Sequence, residues 1–397
     1  GKRRMSAQAI GSIVGLGFSE ISRGPIGSTR DAASAAVNAA LADAGQALSD
    51  VDGLLLARSP AKPSAELPLK LQNDLGLHNL RLYASVEAEG ASAIQMIQQA
   101  AMALHHGMAK TVVCVFADTP LQPATATGAA AYNRVMPLTG IPQWEVQYGM
   151  FGAAGPYAMA AQRYLATYNA KPEYFGEFAI SNRTWAGLNP DAFLRKSLTI
   201  EEYTASRFVV EPFHVLDCAY PVNGAVAIVM VAPDRADDFA QPPAFVHGMG
   251  QGHLGQPGLR GADRELRTGG KLAGEGAYKM AGISARDVTM CQFYDAFSYL
   301  GLVSLEDYGL VGRGEAGPFI ADGHTRPGGA LPVNTGGGHL SGYYLQGVTP
   351  IAEAIIQLRG QAGARQVPNT DIALVTGSGG RLDYHAAVIL SPMGALS

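Results

Sequence analysis

Residues 334–347, Asn-Thr-Gly-Gly-Gly-His-Leu-Ser-Gly-Tyr-Tyr-Leu-Gln-Gly, bring several groups able to do chemistry into one short run. The glycines let the backbone turn left-handed and come close to a ligand, so a binding loop is expected here rather than a helix or strand. The phenols of Tyr343 and Tyr344 either pack beneath the glycine turn or do acid–base work. His339, five residues before Tyr344, is either a proton relay or a packed or solvated loop histidine. A tyrosine with its ordinary pKa near 10 serves well as an acid toward carbon. As a base at neutral pH it needs a lowered pKa or a concerted transfer through a hydrogen bond. A further phenol, Tyr294, lies in Tyr294-Asp295-Ala296-Phe297-Ser298, where Asp295 either tunes Tyr294 or caps the following helix. Thr376 opens another polar run, Thr376-Gly377-Ser378-Gly379-Gly380.

The spacing around these groups predicts the elements that must hold them. Ile351, Ala354, Ile355 and Leu358 recur at helical spacing, so the loop feeds a helix over 348–359 whose first amides, near Gly347, are free to receive a polar oxygen. Strands are expected over 289–293, ahead of Tyr294, over 371–375, ahead of a glycine turn at Thr376, and over 384–390. Residues 87–92, Glu-Ala-Glu-Gly-Ala-Ser, join a strand over 80–86 to a long helix over 93–106, which aims Gly90 past the sheet edge. His105 and His106 then complement that helix's dipole. Tyr294, Tyr344 and Thr376 thus converge on the rim where open α/β sheets place ligands.

Further strands are expected over 9–17, 51–56 and 111–116, and helices over 31–44, capped by Ser28 or Thr29, and 67–75. Residues 121–209, with scattered Gly, Pro and aromatics and both tryptophans, Trp144 and Trp185, are read as an inserted subdomain that covers a site. Its helices are expected over 154–167 and 174–183. A glycine turn and strand over 217–231 precede a charged, proline-bounded join at 232–243. The second half repeats the first: Ala44-Gly45 precedes Asp50-Val51 as Ala281-Gly282 precedes Asp287-Val288. A duplicated βαβ pair with parallel strands and right-handed crossovers is expected.

Composition narrows the function classes. The chain has 397 residues, 16% charged and 47% hydrophobic, with net charge −4, enough for two domains with sizeable cores. Without a basic run there is no electrostatic case for nucleic acid or an anionic membrane, and no apolar run reaches spanning length. The three cysteines, Cys114, Cys218 and Cys291, have neither disulfide-framework nor zinc spacing, and Cys114 and Cys291 read as inert strand core. A reducing cytoplasm is expected, with Gly1 to Arg4 an added leader ahead of a natural start at Met5. Gly248-Met-Gly-Gln-Gly252 lacks the helix and acidic residue of a dinucleotide fingerprint, and no Walker loop or His-Glu-x-x-His motif occurs.

Four loops together resemble those of the thiolases, specifically the sterol-carrier-protein type, and the resemblance covers essentially the whole chain. Val86-Glu87-Ala88-Glu89-Gly90-Ala91-Ser92 is similar to the turn that carries the thiolase nucleophile, with Gly90 where the cysteine belongs. Tyr294-Asp295-Ala296-Phe297 resembles the His-Asp-x-Phe or Asn-Glu-Ala-Phe motif near the thioester oxygen. Counted from Asn334 to Gly347, Tyr344 takes the place of the histidine that activates the cysteine, and Thr376 that of the proton-exchanging cysteine. The pattern resembles the bacterial lipid-transfer-protein aldolases of steroid side-chain degradation, which cleave a β-hydroxyacyl-CoA by retro-aldol reaction.

The resemblance implies a thiolase fold, with two duplicated βαβαβ halves, 5–240 and 241–397, packed as a five-layer αβαβα sandwich. It also implies a homodimer core and a partner with an OB fold and zinc ribbon that helps bind acyl-CoA. Tyr344 and Tyr294 are expected to be the base and the acid, in an order that can be reversed. Gly90 is expected to leave room for a bulky ketone. Amides around Gly90, Gly379 and Gly380 are expected at the enolate oxygen, with His339 and Thr376 lining the site. No cofactor is expected beyond the coenzyme A of the substrate. The competing expectations are a catalytically silent acyl-CoA-binding subunit and a thiolase with a displaced cysteine, Cys218 or Cys291.

Overall fold

The computed structural model describes residues 7–60, 67–123, 132, 140–150, 152–254 and 266–396. The expected start at Met5 and insert residues 124–131 and 133–139 lie outside them. In the first half the elements are β1 (Gly11–Phe18), α1 (Thr29–Ala44), β2 (Gly53–Ala57), α2 (Leu67–Leu75), β3 (Leu82–Val86), α3 (Ser92–His105) and β4 (Val112–Asp118). The insert supplies α4 (Ile141–Gln147), α5 (Ala154–Tyr168), α6 (Glu173–Gly187) and α7 (Ile200–Ala205), and the chain then returns to β5 (Gly224–Val231). The second half comprises β6 (Ala244–His253), α8 (Gly270–Ala281), β7 (Met290–Gln292), α9 (Ser298–Asp307), α10 (Ala316–Ala321), α11 (Val348–Leu358), β8 (Ala373–Gly379) and β9 (Tyr384–Ser391).

Local chemistry sets the element ends. Ser28 Oγ accepts the Asp31 N–H at 3.1 Å while Asp31 Oδ2 accepts the Ser28 N–H at 3.2 Å, a reciprocal cap that starts α1. Helices α1 and α8 both stop at a left-handed glycine, Gly45 (φ 65) and Gly282 (φ 70). A short 3-10 turn follows each, closed by an aspartate that accepts an N–H from three residues back: Asp50 from Ala47 at 2.8 Å and Asp287 from Ser284 at 2.7 Å. The repeated Ala-Gly…Asp-Val spacing therefore encodes one local structure used twice.

Nine strands form one mixed sheet in the order β7-β8-β9-β6-β1-β5-β4-β2-β3. The expected all-parallel arrangement is corrected: only β2–β3, β2–β4 and β7–β8 are parallel, and the other pairs are antiparallel. The tight turn after Gly379 leaves β9 no crossover, so it must run back along β8. The two halves meet where β1 pairs with β6 over Gly11–Val246 to Ile13–Ala244.

Glycines spaced two apart decide how the outer helices lie. An added Cβ at Gly17 would fall 2.0 Å from the Ala40 nitrogen of α1, and one at Gly250 would fall 1.9 Å from the Ala273 carbonyl oxygen of α8. The Gly248-Met-Gly-Gln-Gly252 run is thus strand β6, whose bare face receives the backbone of α8. Helices α3 and α11 are buried on almost every side and touch strands of both halves and each other, as expected of helices without a solvent face. Among the described residues, no helix is long and apolar enough to cross a membrane, and no cluster of His, Cys, Asp and Glu could hold a metal.

Candidate active site

Tyr294 lies just past the end of β7, and its backbone N–H is held by Thr376 Oγ1 at 3.2 Å. The loop that carries Tyr344 is fastened to the same strand end: Asn334 Oδ1 accepts the Phe293 N–H at 2.7 Å, and the Asn334 N–H reaches the Cys291 carbonyl at 3.0 Å. Residues Gly338–Gly342 wind into a π-type turn, where a plain loop was expected. The Tyr344 N–H is then fixed by the Tyr220 carbonyl at 2.9 Å. These anchors bring the two phenol oxygens to 2.9 Å of each other.

His339 sits behind the pair and does not line the cavity. Its ring meets Tyr294 and Tyr344 edge-on, with centroids 4.7 and 4.8 Å away. Nδ1 accepts the Asp295 N–H at 3.2 Å, and Nε2 lies 2.7 Å from the Gln346 carbonyl, so the proton belongs on Nε2. Burial pushes its pKa down to about 3, leaving the ring neutral. With both nitrogens committed to backbone, His339 clamps the two tyrosine-bearing segments, and the relay reading is set aside.

Asp295 does not cap α9 as one reading expected; the residue at that end is Phe297, which makes no side-chain cap. Its carboxyl turns inward instead, where Oδ1 accepts the His339 N–H at 2.8 Å and Oδ2 lies 2.5 Å from the Asn182 amide of α6. Burial raises this carboxyl to about 8. The same helix sends Arg183 to Ser341 Oγ at 2.9 Å, so the insert buttresses the Tyr344 loop.

A cavity of about 700 Å³ opens before the phenols, with Gly90, Tyr294, Tyr344 and Gly379 on its walls. Tyr294 is buried and Tyr344 half-buried. Burial drives both phenols above their ordinary pKa, and in their mutual hydrogen bond either oxygen can be the donor. Thr376 is a buried residue within β8, a strand that runs on to Gly379 rather than turning at Thr376; it supports Tyr294 and does not face the cavity. Gly380 is likewise off the wall, with its N–H given to Glu89 Oε2 at 2.8 Å.

The space beside Gly90 is already filled, since an added Cβ there would stand 2.4 Å from Tyr294 Cε2 and 2.0 Å from the Ser378 carbonyl oxygen. Gly90 makes room for the Tyr294 ring, which corrects the expectation that it makes room for a ketone. Cavity residues that the sequence did not single out include Glu89, Tyr132, Tyr157, Phe297 and Arg381. Tyr132 meets the Tyr344 ring edge-on at 5.7 Å, and Tyr157 packs against Phe297 at 4.8 Å with the rings tilted. Glu89, inside the turn around Gly90, and Phe297, at the end of the Tyr294-Asp295-Ala296-Phe297 motif, carried a positional signal.

No cysteine borders this cavity. Cys114 and Cys291 are buried, and burial with the Asp217 charge pushes the Cys218 thiol up to about 12. None is poised as a thiolate nucleophile.

A family model described as thiolase C-terminal domain-like matches residues 260–392. A steroid side-chain-cleaving aldolase of Thermomonospora curvata is 35% identical over 377 residues, covering 93% of this chain and 95% of that protein. The chain belongs to the thiolase superfamily. A 17-hydroxy-3-oxo-4-pregnene-20-carboxyl-CoA lyase of Mycobacterium tuberculosis, 33% identical, covers 95% of this chain and 97% of its own length. The solved Ltp2-ChsH2(DUF35) aldolase superposes with a TM-score of 0.86 at 34% identity, over 97% of this chain and 98% of that one.

Proposed function

We propose that this chain is a carbon–carbon lyase that cleaves a β-hydroxyacyl-CoA by retro-aldol reaction. The products are a ketone or aldehyde and a short acyl-CoA, propionyl-CoA or acetyl-CoA, and a steroid side-chain thioester is the favoured substrate. The observation that carries this reading is the Tyr294–Tyr344 phenol pair, 2.9 Å apart on the wall of a cavity that no thiol borders. The similarity to a steroid side-chain-cleaving aldolase and to a carboxyl-CoA lyase over nearly the whole chain supports it.

In this mechanism Tyr344 takes the β-hydroxyl proton as the Cα–Cβ bond opens, and Tyr294 gives its proton to the α-carbon of the thioester enolate. The 2.9 Å contact lets Tyr344 hand its own proton to Tyr294 as it takes the substrate's, so that Tyr294 can give its proton to carbon. Since burial raises both phenols, the transfer is concerted along the pair rather than through a free phenolate. The N-termini of α3 and α11 lack side-chain caps and approach each other where Gly347 packs on the Gly90 carbonyl. Their dipoles favour an enolate there. An amide from the Gly90 or Gly379 turn adds about 3 kcal/mol per donor.

The reading includes two duplicated halves, 5–240 and 241–397, stacked in five layers with α3 and α11 innermost. It also includes a homodimer, a cytoplasmic setting, and an OB-fold and zinc-ribbon partner that helps hold the acyl-CoA; the DUF35 component of the similar solved aldolase supports that last element. No cofactor is needed beyond the substrate's own coenzyme A. Tyr344→Phe and Tyr294→Phe are each expected to lower kcat for a β-hydroxyacyl-CoA by about 100-fold or more. Near-normal turnover in both variants would refute the proposal, and tight CoA-ester binding without cleavage by the wild type would favour a silent binding subunit.

A further inference from the structure

The loop that carries Tyr344 turns left-handed at Asn334, Gly337, Gly338 and Gln346, with φ 55, 98, 58 and 47. Glycine takes such backbone without strain, whereas a longer side chain stays there only where its surroundings enforce it. Asn334 has a clear use for its side chain, since Oδ1 holds the Phe293 N–H at 2.7 Å. Gln346 has no counterpart of that bond.

Only 7% of Gln346 is exposed. Its carbonyl accepts the His339 Nε2–H at 2.7 Å and the Thr349 N–H at 3.4 Å. Among the described residues its side-chain amide has no hydrogen-bond partner. A buried amide left unpaired is costly, so this one is built for a partner that the chain itself does not supply. Gln346 lines the cavity together with Gly90, Tyr294 and Tyr344, and its amide is not sealed into the interior.

The backbone at this position is fixed relative to the phenols. The His339 ring that holds the Gln346 carbonyl is the same ring that meets Tyr294 and Tyr344 edge-on. Gln346 also stands one residue before Gly347, the cap position of α11, where an added Cβ would fall 2.8 Å from the Gly90 carbonyl oxygen ahead of α3. Two helix N-termini therefore meet beside it, and their free N–H groups favour negative charge.

We propose that Gln346 donates through Nε2 to the thioester oxygen of the substrate and holds that oxygen as it becomes the enolate oxygen. The inference rests on the retro-aldol reading, in which the Cα–Cβ electron pair moves into the thioester and its charge gathers on that oxygen. A neutral amide suits the place, because it donates a hydrogen bond without giving up a proton and leaves the proton transfers to Tyr344 and Tyr294. A donor aimed at charge that develops during bond cleavage speeds that step more than it tightens substrate binding.

Gln346→Met keeps the length and the apolar stem and removes the donor. In the full chain it is expected to lower kcat for a β-hydroxyacyl-CoA by about 100-fold and to leave KM within about twofold. A CoA thioether bearing an ionised nitronate, a stand-in for the enolate, should bind the wild type about 100-fold more tightly than the Met variant. A propyl-CoA thioether, which has no such oxygen, should bind both equally, which also shows that the variant is folded. Gln346→Glu, an acceptor when ionised, should be slower still at neutral pH. Its kcat relative to wild type should recover as pH falls toward about 5, where a buried carboxyl regains a proton and can donate. Equal nitronate affinity in wild type and Met variant, or a Glu-to-wild-type ratio that does not move with pH, overturns the proposal. A wild type that holds the nitronate through Gln346 yet cleaves no β-hydroxyacyl-CoA would sink the retro-aldol reading and leave the donor standing. A wild type that neither cleaves nor prefers the nitronate to the propyl thioether overturns both.

Discussion

A thiol at position 90 would have its Cβ only 2.4 Å from the Tyr294 ring, so a side chain at 90 and the phenol of this site compete for one volume. Gly90→Cys is therefore expected to displace Tyr294 and lower lyase kcat by about 100-fold. It should gain no thiolase activity, which an acyl-CoA condensation assay would check. A second prediction concerns the buried acid beside Tyr294. Burial lifts the Asp295 carboxyl from 3.8 to about 8, so between those values the folded chain holds a proton that the unfolded chain has released. Asp295 thus stabilises the fold most at the acid end, and that contribution is lost as pH rises toward 8. Asp295→Asn removes this dependence. The urea-unfolding free energy of the wild type, minus that of the variant, should fall with rising pH across this window by up to about 1.4 kcal/mol per pH unit. A flat difference would mean that Asp295 is ionised in the fold.

Packing distance is decided at the level of elements. The bare face of β6 lets the α8 backbone settle where Ala273 O would meet a Cβ on Gly250 at 1.9 Å. Gly250→Ala must push the helix outward and is expected to cost about 3 kcal/mol, read from the urea midpoint. The same close approach made β6 illegible in the sequence: alternating glycines erase the apolar rhythm by which strands are recognised. Where periodic apolar residues persist, the elements were legible to within a residue or two, as with α1, α2, α3 and α11. The cap of α9 and the run of β8 past Thr376 depended on tertiary partners and were not. Asp295 left the α9 cap because His339 and Asn182 offered buried hydrogen bonds, and β8 ran through Thr376 because β9 pairs with it as far as Gly379. Of the site, Tyr294, Tyr344, Gly90 and Gly379 reach one wall, whereas His339, Thr376 and Gly380 support it from behind. Spacing along a loop does not reveal which way a side chain turns.

Across the whole molecule, one carboxylate ties the two halves together. Asp43, on α1, accepts the Leu16 N–H at 2.8 Å, the Gln241 amide at 2.8 Å and the Arg359 guanidinium at 2.9 Å, joining the first half to the linker and to the end of α11. Only 2% of the Arg359 side chain is exposed, so Asp43→Ala strands a buried cation and is expected to cost about 3 kcal/mol. Equilibrium unfolding should show the loss, and a change below about 0.5 kcal/mol would mean that Arg359 finds another partner. The shared volume at positions 90 and 294 also has a historical consequence. A chain with a side chain at 90 has no room for the phenol, whereas a chain with glycine at 90 tolerates either a small or a large neighbour. Any route from a side chain at 90 to this site must lose that side chain before, or together with, the arrival of the aromatic ring, and variants that combine the two should fail to fold around the site.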